Sequence, residues 1–264
     1  MTEKKINNFS KPSQAEMLFL EKLYNSNKFI ELETETKKLI KKNPNIPALY
    51  NILGFALHKN GELNKAVLQY EKALNIDPKF SFAHNNLGNL YKELGKFEEA
   101  LSHYKSSIKL NPNYAEAYYN QALLYKKIRK YNKSIESFHN ALKIKPDYFD
   151  AHFDLGQVYT TVGKFNESIE SFQKTINLKP DFIPSYSNIF FTLLYMKEDK
   201  HNFFISLTKQ FISSQKKIDK SFLTINQYEK KPKKLKVGFV SGNFYEHPVG
   251  YFLLGTIKNL KDKN

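Results

Sequence analysis

Apolar residues recur with the i, i+3, i+4 spacing of amphipathic α-helices through most of the chain. The helical stretches are separated at a constant interval, because prolines fall 34 residues apart. These prolines are Pro44, Pro78, Pro112, Pro146 and Pro180. Proline stops a helix and disfavours helical geometry in the residue before it. The pattern therefore predicts successive units, each made of two helices.

Other residue types recur with the same 34-residue period. Small residues hold three places in each unit, as at Gly54, Ala66 and Ala73, and aromatic residues hold two, as at Tyr70 and Tyr91. We expect the small residues to let two helices cross closely and the aromatic rings to fill the space beside them. A turn residue also repeats, at Gly61, Gly95, Arg129 and Gly163. A glycine at that place ends the first helix and turns the chain.

These marks resemble the tetratricopeptide repeat. Such helical hairpins cannot bury their own apolar faces, so they must stack. The resemblance implies a mainly α fold, a right-handed α-α superhelix. In a degenerate first unit, Leu20, Leu32 and Leu39 replace the small residues. We assign a flexible N-terminus (1–12), a degenerate repeat (13–46), four repeats (47–80, 81–114, 115–148 and 149–182), capping helices (183–217) and a basic linker (218–234).

One position of the first helix, two residues before the small residue, favours asparagine. It holds Ile52, Asn86, Asn120, Asp154 and Asn188. Asparagine carries both a donor and an acceptor, so it can pair with both backbone groups of an extended peptide. In tetratricopeptide arrays the first helices line the concave face. The repeat resemblance thus implies a protein or extended peptide in that groove, bound by Asn86, Asn120, Asp154 and Asn188.

The same series resembles the asparagine ladder of the O-linked N-acetylglucosamine transferases, which Ile52 and Asp154 would interrupt here. Two alternatives stay open. Asparagine is abundant in this chain and could simply be tolerated on a solvated helix face. Lysines could instead make the groove suit acidic C-terminal peptides, as in chaperone-binding tetratricopeptide domains, although the full pattern of paired lysine and asparagine is absent.

The stretch "LKVGFVSGNFYEHPVGYFL" (235–253) predicts the start of an α/β domain. We expect a buried strand at 235–241, a turn at 242–247 and a helix at 249–260, with Pro248 in its first turn. His247 would then lie beyond the carboxyl end of a strand and at a helix N-terminus. In open α/β sheets, ligands bind at that edge.

This stretch also resembles the first strand and helix of the catalytic region in the protein O-linked N-acetylglucosamine transferase (O-GlcNAc transferase) family, including SPINDLY-like members. The resemblance implies an incomplete α/β segment like the N-lobe of a two-lobed GT-B region (235–264), with His247 as a catalytic residue. Asn243 stands where the family has Asp. The complete enzyme would transfer a sugar from a UDP donor to Ser or Thr of proteins. We expect this chain to lack most of that region, to be inactive alone and to hold no cofactor. The alternative is a non-catalytic adaptor.

Composition excludes several classes of function. Cysteine is absent, which removes disulfides and thiol chemistry and favours a reducing, cytoplasmic location. The net charge is +15, but Arg129 is the one arginine, so we expect no specific nucleic-acid partner. No apolar run reaches the length of a bilayer span, and no His, Asp or Glu cluster has metal-ligand spacing. We therefore expect neither a membrane nor a metal partner.

Overall fold

The computed structural model describes residues 12–196 and 201–214. Within these ranges the chain forms twelve α-helices and no β-strand. They are α1 Gln14–Asn25, α2 Phe29–Lys42, α3 Pro47–Lys59, α4 Leu63–Ile76, α5 Ser81–Glu93, α6 Phe97–Leu110, α7 Ala115–Lys127, α8 Tyr131–Ile144, α9 Phe149–Thr161, α10 Phe165–Leu178, α11 Ile183–Leu193 and α12 His201–Ser214. The expected linker, strand and helix beyond residue 217, including His247, lie outside the described residues.

The chain divides into two compact units between Ala151 and His152. In the first unit, α1–α2, α3–α4, α5–α6 and α7–α8 form hairpins, and the second helix of each of the first three packs on the first helix of the next. The first helices α3, α5 and α7 also contact one another in order. In the second unit, α11 packs against both α10 and α12. The predicted mainly α fold of stacked hairpins is confirmed.

At three of the helix crossings, a glycine packs against an aromatic ring. The pairs are Gly54 with Tyr70, Gly88 with Tyr104 and, in the second unit, Gly156 with Phe172. A Cβ atom added to Gly88 would lie 2.5 Å from Cε1 of Tyr104, whose side chain is fully buried. The ring therefore occupies the volume that any larger residue at position 88 would need. At these crossings the small residue allows the helices to approach closely and the aromatic ring fills the space beside it, as the sequence pattern predicted.

The turn after each first helix uses left-handed backbone geometry. Gly95 has φ +76°, and the N–H of Lys96 donates to the carbonyl of Tyr91 at 2.8 Å, which closes the end of α5. Arg129 holds the same place after α7 with φ +58°. The turn is thus preserved where the glycine is not. A side chain in this region of φ/ψ space is sterically strained.

Leucines form the core of the first hairpin, where the small residues of later units are missing. Leu20, Leu32 and Leu39 are all buried, and they cluster with Leu49 from α3. Burying a leucine side chain contributes about 1.5–3 kcal/mol. The first hairpin therefore attaches to the stack through aliphatic packing.

The second unit has its own core. It consists of Phe172, Ile176, Tyr186, Ile189 and Leu207, drawn from α10, α11 and α12. Buried hydroxyl groups here are satisfied: Ser168 Oγ donates to the carbonyl of Gly156 at 2.9 Å. Across both described ranges, none of the helices is both long and apolar enough to cross a bilayer.

Candidate peptide-binding face

An open cavity of about 590 Å³ lies on the first helices of the first unit. Its lining repeats along the chain, because α3, α5 and α7 contribute equivalent positions. Those positions are Asn86 and Asn120; Phe55, Asn89 and Leu123; Lys59, Glu93 and Lys127; and His58 and Lys92. The first three sets stand at i, i+3 and i+7, which share one side of a helix. We call this surface the α3–α5–α7 face.

The two asparagines of this face join neighbouring repeats. Asn86 Nδ2 donates to Asn51 Oδ1 at 2.8 Å, and Asn120 Nδ2 donates to Asn85 Oδ1 at 3.0 Å. Each bond uses one of the two N–H groups of the carboxamide, and the second N–H and the Oδ1 keep their hydrogen-bonding capacity. Asn86 and Asn120 therefore have a structural role that neither interpretation of the sequence had included.

The other two predicted ladder residues belong to the second unit. Asp154 is half-buried on α9. Asn188, on α11, lines a different cavity of about 450 Å³ together with Thr160, Phe191 and Tyr195. Its Nδ2 donates to the carbonyl of Pro184 at 2.8 Å, within its own helix. The structure thus brings Asn86 and Asn120 to one cavity, and the ladder role of Asp154 and Asn188 stays a prediction.

Lys92 is a half-buried ammonium group on this face. Its Nζ lies 3.4 Å from Asn89 Oδ1, which also accepts a 2.7 Å hydrogen bond from the hydroxyl of Tyr104. Burial, followed by repulsion from Lys127, lowers the pKa of Lys92, and the nearby Glu93 only partly offsets this. Lys92 forms no salt bridge within the described residues. Its environment therefore favours an added anion.

The one carboxylate of the cavity lining is already engaged. Glu93 Oε2 lies 2.6 Å from His58 Nε2, so α3 and α5 are linked across the cavity. Three lysines, Lys59, Lys92 and Lys127, line the same space. The cavity consequently carries an excess of positive charge.

An apolar cleft of about 420 Å³ adjoins this cavity at α1 and α3. Met17, Leu18, Tyr24 and Ile52 line it. The ring of Tyr24 lies 4.8 Å from that of Phe55, which lines the larger cavity. We call this the α1–α3 cleft. Ile52, which interrupts the asparagine series, thus belongs to an apolar surface that continues into the α3–α5–α7 face.

The sequence analysis did not single out Phe55, Asn89, Lys92, Glu93 or Lys127. A signal for most of them was present, because they follow the asparagine position by three or seven residues on the same helices. Lys92 is different: only the packing of α5 beside α6 and α7 leaves it half-buried and without a carboxylate.

Models of the tetratricopeptide repeat match the chain over much of its length. A model described as "TPR repeat" matches residues 56–95, 88–128 and 130–163. Two models described as "Tetratricopeptide repeat" match residues 36–67 and 149–182. Together the matches extend from residue 36 to residue 182, which is more than half of the 264 residues.

Solved structures with the same fold are numerous. A crystal structure of MamA protein is 27% identical, with 68% of this chain and 97% of that chain covered and a TM-score of 0.57. YrrB, described as a TPR protein with an unusual peptide-binding site, is 20% identical, with coverages of 68% and 92% and a TM-score of 0.55. Pseudomonas aeruginosa pilF is 14% identical, with coverages of 76% and 87% and a TM-score of 0.64. A search of curated proteins found no match. The two less identical structures show the fold alone.

Proposed function

We propose that this chain, which belongs to the tetratricopeptide repeat proteins, binds an extended segment of a partner protein along the α3–α5–α7 face. The observation that carries the proposal is the pair Asn86 and Asn120. Both carboxamides line one open cavity, and each donates only one N–H to the preceding repeat. The protein would act as a binding module.

Asparagine side chains suit peptide binding because they can form hydrogen bonds with the backbone of a segment, whatever its side chains are. An extended segment presents N–H and C=O groups in alternation, and a carboxamide can pair with both. Neighbouring packed helices lie about 8–10 Å apart, which is about three residues of extended chain. Asn86 and Asn120 could therefore hold backbone groups about three residues apart on one segment.

The glycosyltransferase prediction finds no such support. It rests on residues 235–253, which lie outside the described residues, and on the partial asparagine series. None of the matching family models, and none of the three structures compared above, is described as a glycosyltransferase. The peptide-binding description of YrrB is consistent with proposing a peptide site on the same fold here. The adaptor alternative is therefore the one we favour.

The test is a selection of random twelve-residue peptides displayed on phage against the full chain, followed by fluorescence anisotropy of the recovered peptides. We expect the double variant Asn86→Ala, Asn120→Ala to bind them about tenfold or more weakly, since two peptide hydrogen bonds are lost. Asn51→Ala is the matched control, because it removes the same inter-repeat bond as Asn86→Ala and leaves the ligand-facing carboxamide in place.

Two results would overturn the proposal. The first is a selection that recovers no binding peptide. The second is equal loss of affinity in Asn51→Ala and Asn86→Ala, which would make the asparagines purely structural. Circular dichroism of each variant, compared with the exposed-site variant Asn75→Ala, checks that the helices remain folded.

A further inference from the structure

The geometry of the first unit points to a defined kind of segment. We infer that the bound segment carries an apolar side chain for the α1–α3 cleft and, a few residues away, carboxylates that meet Lys92 and Lys127. This inference rests on the proposed function and adds its specificity. The cleft and the lysines would recognise side chains of the segment, whereas Asn86 and Asn120 would bind only its backbone.

Lys92 is the main reason to expect a carboxylate in the bound segment. It is half-buried, and its Nζ lies 3.4 Å from Oδ1 of Asn89, an oxygen that it shares with the hydroxyl of Tyr104. Burial, followed by repulsion from Lys127, lowers the pKa of Lys92 and so disfavours its charged form. A carboxylate entering the cavity would restore the solvation that Lys92 lost and would screen it from Lys127. Interactions of this partly buried kind are stronger than exposed ion pairs.

The rest of the cavity reinforces the preference for acidic side chains. Glu93 lies 2.6 Å from His58 and offsets the charge of Lys92 only in part, so one carboxylate faces three lysines in this cavity. Lys59 and Lys127 lie over the rings of Phe55 and Phe97 at 5.4 and 5.3 Å. These contacts hold the two ammonium groups beside the cavity and leave their charge in place. A basic segment would meet three like charges.

The α1–α3 cleft supplies the apolar half of the specificity. Leu18 is 63% exposed and Tyr24 is 47% exposed, so both of these large side chains present apolar surface to a ligand in the cleft. The Tyr24–Phe55 contact makes the cleft continuous with the cationic cavity. One extended segment can therefore cross both, and burying a leucine or phenylalanine in the cleft would add affinity.

The helix spacing sets the distance between the two kinds of side chain. The cleft lies between α1 and α3, and the lysines lie one and two first helices further along. At about 8–10 Å per helix and about 3.3 Å per residue, the carboxylates should follow or precede the apolar residue by about three to six positions.

The experiment uses the full chain and fluorescein-labelled twelve-residue peptides. The parent peptide has one leucine and two glutamates three and six positions away in a serine–glycine background, and it is made in both chain directions. We expect replacement of both glutamates by glutamine, or of leucine by serine, to weaken binding about tenfold or more. These changes leave the protein untouched, so its folding cannot explain the result.

Protein variants locate the contacts. Lys92→Gln should weaken binding of the acidic peptide about tenfold and leave binding of the glutamine peptide unchanged, while Lys105→Gln on the exposed side of α6 changes neither. Lys92→Glu should recover affinity for a peptide with lysines in place of the glutamates. Leu18→Ser should weaken the leucine peptide, with the 75% exposed Ile30→Ser as its control.

The outcomes separate the inference from the function on which it rests. Binding that depends on Asn86 and Asn120 but ignores glutamate and leucine would overturn the specificity and keep the function. Unchanged affinity in Lys92→Gln with a persisting glutamate preference would place the carboxylates elsewhere and overturn the assignment to Lys92. Absence of binding by any peptide would overturn both.

Discussion

The hydroxyl of Tyr104 donates a 2.7 Å hydrogen bond to Oδ1 of Asn89. One repeat earlier, the equivalent pair is Tyr70 and Phe55, and the buried hydroxyl of Tyr70 has no hydrogen-bond partner within the described residues. The same ring therefore fills the same space in both repeats, but its polar end is satisfied in only one. In the next two repeats this position holds Phe138 and Phe172, which have no hydroxyl group to satisfy.

Tyr70→Phe should keep or raise stability, and Tyr104→Phe should lower it. Removing the hydroxyl of Tyr70 removes an unpaired buried group, whereas removing that of Tyr104 deprives Asn89 of a donor, at about 1 kcal/mol. Urea titrations followed by circular dichroism at 222 nm would measure both. Equal losses in the two variants would show that the hydroxyl of Tyr70 finds a partner in solution.

Gly88→Ala should lower the free energy of unfolding by about 1–3 kcal/mol, because overpacking outweighs the better helix propensity of alanine. The new Cβ would meet the Tyr104 ring at 2.5 Å, and that ring is fully buried. Adding Tyr104→Leu to Gly88→Ala should recover part of the loss by making room. Urea titrations of the single and double variants would measure both changes in stability. An unchanged midpoint in Gly88→Ala would mean that α5 and α6 separate easily to make room for the methyl group.

Arg129→Gly should stabilise the chain by about 0.5–1 kcal/mol. Arg129 holds φ +58°, a conformation that costs an L-residue about 1 kcal/mol and costs glycine little. Arg129→Ala is the control, since alanine keeps the strained Cβ and should bring no such gain. A melting temperature of Arg129→Gly no higher than that of Arg129→Ala would contradict the strain.

Stability should decline as the pH falls from about 6.5 to 4, in part through a histidine pair. Nδ1 of His103 lies 3.0 Å from Nδ1 of His84, and the ring of His103 stacks on Tyr91 at 5.4 Å. Burial, followed by the charge of His84, lowers the pKa of His103 to about 4. The unfolded chain, whose histidines titrate near 6.5, then binds the proton more readily, so the contribution is complete above pH 6.5 and is lost on acidification.

The measurement is the melting temperature between pH 7 and pH 4. His103→Gln should show a shallower decline than the unmodified chain. The carboxylates are the same in both proteins, so the difference isolates His103. Parallel curves would mean that the pair is solvated well enough to titrate normally.

The repeat architecture was predictable because each of its parts depends on local chemistry repeated in register. Proline, glycine and the small–aromatic alternation act within one hairpin, as the contact of Gly88 with Tyr104 shows. Arg129 also kept its turn, because the neighbouring helices determine that geometry. The face could be predicted only in part: Asn86 and Asn120 were identified, but their bonds to Asn51 and Asn85 were not.

The sequence by itself determined the period, the helices, the crossings and the turns, since these follow from spacing within about 34 residues. Only the tertiary structure decided which polar groups meet across repeats. Lys92 is one lysine among forty in the sequence, and its half-buried position beside Asn89 and Lys127 exists because α5, α6 and α7 stack there. Electrostatic environments depend on distances between chain segments, and those distances are set by packing.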